Sequence, residues 1–80
     1  MNLQKAVAMR VTNLLIENKL SKYAYLKRIA MNKSTLRNIL EERYSEVKFS
    51  TLIRLADGFN MTVQEFLDDE IFDRENLDIE

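Results

Sequence analysis

The chain is 80 residues long and 46% hydrophobic, carries a formal net charge of −1, and contains neither cysteine nor histidine. That length allows one domain, near the size at which a single core buries about 60% of the unfolded chain's surface. The two missing residue types exclude a disulfide framework, thiolate zinc ligation, a cysteine nucleophile and an imidazole general base.

No cofactor or metal is expected. Asp68, Asp69, Glu70 and Asp73 lack the alternating spacing and glycine turn of a calcium loop. They read instead as a solubilising end. No stretch is apolar enough to span a bilayer, and Arg10 interrupts what would be the core of a leader. A cytoplasmic location and no membrane partner are therefore expected.

The charge is unevenly distributed. Residues 1–54 hold eleven Lys/Arg against four Asp/Glu, giving +7, while residues 55–80 hold one Arg against nine Asp/Glu, giving −8. A basic body thus precedes an acidic end, dividing the chain into a domain over residues 1–69 and an acidic tail over 70–80. Such a body can bind phosphates even when the whole chain is near neutral. On charge alone, a solvated surface with an acidic tail is the slightly better reading.

With no proline, one glycine and apolar residues at a period of 3.6, the chain reads as all-α, five short helices. The first is expected from about Leu3 to Asn18, capped by Asn2, with Val7, Val11, Leu14 and Leu15 buried. Ser21 caps a two-turn second helix to about Ile29 that buries Tyr25, Leu26 and Ile29. A tight turn at Ala30-Met31 follows. Asn32 caps a third helix, Lys33 to about Glu41, with Leu36, Ile39 and Leu40 inward, and Glu42 to Lys48 reads as a loop.

The fourth helix, about Phe49 to Phe59, buries Leu52, Leu55, Ala56 and Phe59. Asn60 suits the left-handed residue that ends it. Thr62-Val63-Gln64-Glu65 is a capping box opening a short fifth helix with Phe66 and Leu67. Met9, Met31, Met61, Tyr25, Phe49, Phe59 and Phe66 all sit at core spacing. Lys27 and Arg28 are expected to be merely solvated.

Two short helices joined by a tight turn allow one to enter the major groove while the other braces on the backbone. With Leu36, Ile39 and Leu40 buried, the third helix exposes Lys33, Ser34, Arg37 and Asn38. Lys and Arg suit guanine, and Asn can bind adenine bidentately. No acidic residue appears on this helix before Glu41.

Residues from about Arg10 to Phe66 resemble the lambda-repressor-like helix-turn-helix family, the Cro/repressor or Xre-like proteins. Leu20-Ser21-Lys22, Tyr25, Ile29, Met31, Asn32, Ser34-Thr35-Leu36 and Ile39 fit the family's second and third helices without a gap. Thr51 to Ala56, Phe59 to Val63 and Glu65-Phe66 fit its fourth and fifth. The resemblance implies a transcriptional regulator, with repression the expected outcome, and double-stranded DNA as partner. Lys33, Ser34 and Asn38, with Arg37 adjacent, fall where the family reads bases. Ser21 and Lys22 fall where it binds phosphate, which a helix N-terminus favours. Asn32, Arg43, Tyr44 and Lys48 are assigned to the flanking backbone.

Two departures carry expectations. Ala30 stands where a glycine is common, and is expected to be tolerated if its backbone is not left-handed. Leu15 and Leu40 occupy positions where the family often pairs a buried Arg with a Glu. Exchanging both partners for apolar residues avoids an unpaired buried charge, so the two leucines are expected to touch.

Three classes of function follow. The chain is a DNA reader, a homodimer with recognition helices about 34 Å apart. Alternatively it is an adaptor or antitoxin component that binds a protein through its acidic end, or closes a dimer through Val63, Leu67, Ile71 and Phe72. An enzyme has little support, because no nucleophile–base pair is present.

Overall fold

The computed structural model describes residues 1–79. Five α-helices follow one another: α1 (Leu3–Glu17), α2 (Lys22–Ile29), α3 (Lys33–Leu40), α4 (Phe49–Asp57) and α5 (Val63–Leu67). Two 3-10 turns, Glu70–Phe72 and Arg74–Asn76, complete the chain, and no strand occurs among the described residues. No helix there is long and apolar enough to cross a membrane.

Local chemistry sets where the helices begin. The side chains of Asn2, Ser21 and Asn32 accept hydrogen bonds from the amides of Lys5, Ala24 and Thr35 (2.8, 3.1 and 2.8 Å). Each satisfies a first-turn donor with no helical partner. Thr62 and Glu65 form the expected reciprocal capping box at α5. Helices α1, α3 and α4 stop slightly early, at Glu17, Leu40 and Asp57. After α4 the Phe59 amide bonds Ala56 O (2.9 Å), and Asn60 takes the left-handed conformation with φ 55°.

Thirteen buried residues form one core cluster: Val7, Val11, Leu14 and Leu15 of α1, Tyr25 and Ile29 of α2, Leu36 and Ile39 of α3, Leu52, Leu55 and Ala56 of α4, and Phe59 and Phe66 beyond it. Leu40 packs against this cluster, which contains Leu15. Two residues expected in the core lie at the surface. Phe49 is 60% exposed and Met9 36%. Phe49 is the first residue of α4, and helical spacing alone misplaces it.

Helix α2 packs tightly against Gly58, the residue that follows α4. A Cβ on this residue would lie 2.3 Å from Tyr25 Cε1 and 2.6 Å from Ile29 Cγ2. Its φ of −64° is ordinary, so glycine is required here by space and not by conformation. The resulting approach lets the Tyr25 hydroxyl donate to Leu55 O (2.7 Å), a carbonyl that the Phe59 amide has left for Ala56 O. Tyr25 also stacks on Phe59, with ring centroids 4.5 Å apart and planes inclined at 22°.

Arg10, on α1, is 7% exposed. Its guanidinium donates to Phe66 O (2.8 Å), Glu65 O (3.2 Å) and Asp69 Oδ2 (3.1 Å). The buried charge therefore has three acceptors, and it closes the C-terminal end of α5, where a cation is electrostatically favoured. The chain beyond α5 lies against the body. Phe72 packs 6.1 Å from Phe66, the Met1 ammonium donates to Asn76 O (2.8 Å), and the Asp78 amide donates to Met1 O (2.8 Å).

Gly58→Ala is expected to lower stability by about 1–3 kcal/mol through overpacking, read as a lower urea midpoint. Tyr25→Phe should cost about 1–3 kcal/mol, because it leaves the Leu55 carbonyl without its donor. Burial pushes the Tyr25 phenol well above its ordinary value. The unfolded phenol ionises near pH 10 while the folded one stays neutral, so this contribution is complete below about pH 10 and is lost as pH rises beyond it. Urea titrations across pH 8–11 should show that decline in the wild type and a smaller one in Tyr25→Phe.

Candidate nucleic-acid interface

The α2–turn–α3 unit is held by reciprocal bonds between α2 and α4. Arg54 of α4 donates from Nη2 to Ile29 O (2.9 Å) and Ala30 O (2.8 Å), closing the end of α2. Arg28 of α2 donates from Nη1 to Gly58 O (3.2 Å), at the end of α4. Each arginine meets carbonyls that have no helical donor, on the electronegative end of the other helix. Arg28 is thus not merely solvated, contrary to the sequence expectation, although its side chain remains largely exposed.

The turn itself corrects a second expectation. Ala30 is left-handed, with φ 49° and ψ 43°. A Cβ in that region costs roughly 1–2 kcal/mol. The two Arg54 bonds to the Ile29 and Ala30 carbonyls hold the turn in place, and Asn32 then starts α3 two residues later.

On α3, Lys33, Ser34 and Arg37 are exposed and Asn38 is half-buried. Asn32 Oδ1 accepts from both the Thr35 amide (2.8 Å) and the Ser34 hydroxyl (2.9 Å). The Ser34 proton is therefore engaged, leaving its oxygen as an acceptor, while the Asn32 Nδ2 hydrogens remain available as donors. Ser21 and Lys22 are exposed at the start of α2, where the hydroxyl of Ser21 accepts from the Ala24 amide.

Lys22, Lys33 and Arg37 come together in a cleft of about 400 Å³ between α2 and α3. Leu26, Leu36 and Leu40 contribute its apolar lining, Tyr23 stands beside Lys22, and Glu41 is the one carboxylate among its lining residues. Ser34 and Asn38 do not line this cleft. Arg43, Tyr44 and Lys48 are exposed in the loop after α3. The Arg43 amide donates to Asn38 O (2.9 Å), and its guanidinium pairs with Glu41 Oε1 at 2.7 Å. Gln4 of α1 donates its side-chain amide to Ser45 O, tying the same loop to the body.

Two residues of this surface escaped the sequence reading. Tyr23 is 69% exposed, with the Lys27 ammonium 4.5 Å from its ring centroid. The signal for this pair was present, since Tyr23 and Lys27 are four apart on a helix. In the sequence Glu41 marks only the end of the non-acidic stretch. Its spacing of four from Arg37 and eight from Lys33 places it on the same helical side.

A model of the Cro/C1-type helix-turn-helix (HTH) DNA-binding domain matches residues 10–70. No curated protein matches the chain, and no solved structure does.

Relief of the strained turn should be measurable. Ala30→Gly is expected to raise stability by up to about 1 kcal/mol, the removed strain being partly offset by the greater freedom of glycine in the unfolded chain. Arg54→Ala should lower it by about 1–3 kcal/mol by leaving two carbonyls unpaired. Thermal unfolding of the two variants should bracket the wild type.

Proposed function

The chain belongs to the Cro/C1-type HTH DNA-binding family, and on that premise we propose that it is a sequence-specific regulator of transcription that reads double-stranded DNA with α3. The observation that carries this reading is the exposure of Lys33, Ser34 and Arg37, with half-buried Asn38, on one short helix beside Lys22. Their donors suit guanine and adenine edges in the major groove, and the Ser34 oxygen suits a base or water donor. Ser21, Lys22, Asn32, Arg43, Tyr44 and Lys48 serve the phosphate backbone, which positions the protein without specifying sequence.

The protein acts as a homodimer on a palindromic site, with recognition helices about 34 Å apart. Repression in the cytoplasm, by occupying a site, is the mode proposed for this reader. Val63, Leu67 and Phe72 pack against the core, so part of the apolar area considered for a dimer contact is already used within one copy. The acidic segment from Glu70 onward remains the place for a protein partner in the adaptor or antitoxin reading.

Selection from a random duplex library at two salt concentrations tests this. A palindrome with half-sites about ten base pairs apart is expected. Only salt-labile, sequence-blind binding would reject the reader and favour the partner reading. On the selected site, Arg37→Ala or Asn38→Ala should cost about 1–3 kcal/mol and relax one base position, whereas Lys48→Ala should weaken all duplexes alike and reduce the salt dependence.

A further inference from the structure

We infer that Glu41 is a specificity-determining residue of this surface, favouring a cytosine in each half-site and opposing all other DNA. The inference rests on the DNA-reading function of α3. Glu41 shares the α2–α3 cleft with Lys22, Lys33 and Arg37, and is the one acid among the residues that line it. It follows Lys33 and Arg37 at intervals of four along the helix, so the three form one stripe that ends in a negative charge.

Glu41 is neutralised in the free protein. Its Oε1 lies 2.7 Å from the Arg43 guanidinium, and the Arg43 amide donates to Asn38 O, so the pair sits at the end of the reading helix. The two side chains are 46% and 62% exposed respectively, so either partner can exchange the other for a new ligand at small cost.

DNA changes that balance. A phosphate draws the guanidinium of Arg43, since both anions compete for the same fork of donors. The Glu41 carboxylate is then left without its cation beside a polyanion, which disfavours every sequence alike. A hydrogen-bond donor on a base edge removes this penalty. In the major groove the cytosine N4 amine presents such a donor with no acceptor on the same base edge, whereas adenine sets its N6 amine beside the N7 acceptor and guanine presents only acceptors. Discrimination thus arises partly by repelling wrong sites.

The test compares Glu41→Gln with Glu42→Gln. Glu42 is the adjacent exposed acid and lines a different cavity, between α1, α3 and the following loop. It therefore controls for a change of one charge. Affinities of the full chain would be measured on the duplex selected by the wild type and on an unrelated duplex, and library selection repeated with each variant. Glu41→Gln is expected to bind the unrelated duplex more tightly, to lower the ratio between the two duplexes by about fivefold or more, and to lose preference for one cytosine per half-site. Glu42→Gln should shift both duplexes by a similar factor and select the wild-type site. Equal shifts for the two variants, or an unchanged site with Glu41→Gln, would overturn the role of Glu41 while leaving the DNA-reading function intact. A wild type that prefers no sequence would overturn both.

Discussion

The absence of one side chain, at Gly58, governs the geometry of the DNA-binding unit. Because nothing projects from this residue, α2 can lie against the end of α4 at a distance that even a methyl group would prevent. The polar bonds of the junction depend on that approach. Tyr25 reaches the Leu55 carbonyl, Arg28 reaches Gly58, and Arg54 reaches the last carbonyls of α2. Together they set where α2 ends and hold Ala30 in its costly conformation. The direction of α3 follows from that turn. Helix α3 is short, and its orientation rests both on that turn and on Leu36 and Ile39, which pack in the core with the α1 residues.

The charge asymmetry of the sequence acquires a physical form in the structure. Arg10 belongs to the basic half but is buried, with a carboxylate and two carbonyls of the acidic half as its acceptors. It is withdrawn from the surface and spent on joining the two halves. No buried side-chain nitrogen or oxygen among the described residues lacks a partner. This agrees with the rule that a buried charge is tolerated only when fully hydrogen-bonded. The cleft between α2 and α3 keeps Lys22, Lys33 and Arg37 among its lining, and the acid that shares it, Glu41, pairs with Arg43 instead.

Much of this was legible in the sequence, because much of it is local. Asn2, Ser21, Asn32 and Thr62 are caps that act within three residues of themselves, and Asn60 ends a helix through its own backbone. The stripes Val7–Val11–Leu14 and Leu36–Ile39 follow from helical period alone. The exposure of Lys33, Ser34 and Arg37 is the complement of the second stripe. What period cannot give is the partner of a side chain far along the chain. Arg28, Arg54 and Arg10 resemble ordinary surface cations until the elements are assembled. Phe49 has the spacing of a core residue, yet is largely exposed at the first position of α4. Ala30 could be flagged as unusual, but its backbone conformation depends on what Arg54 does from another helix.

The contacts of Arg10 also have a consequence in time. Its three acceptors lie 55, 56 and 59 residues further along the chain. Such a closure is entropically slow compared with neighbouring helices finding each other across short turns. On a ribosome, α1, α2 and α3 can emerge and begin to pair while Arg10 is still a hydrated charge without its acceptors. Only when Glu65, Phe66 and Asp69 have left the exit tunnel can that charge be buried. The α2–α3 unit is therefore synthesised before the lock that completes its scaffold, and the whole fold can hold only once that lock has closed.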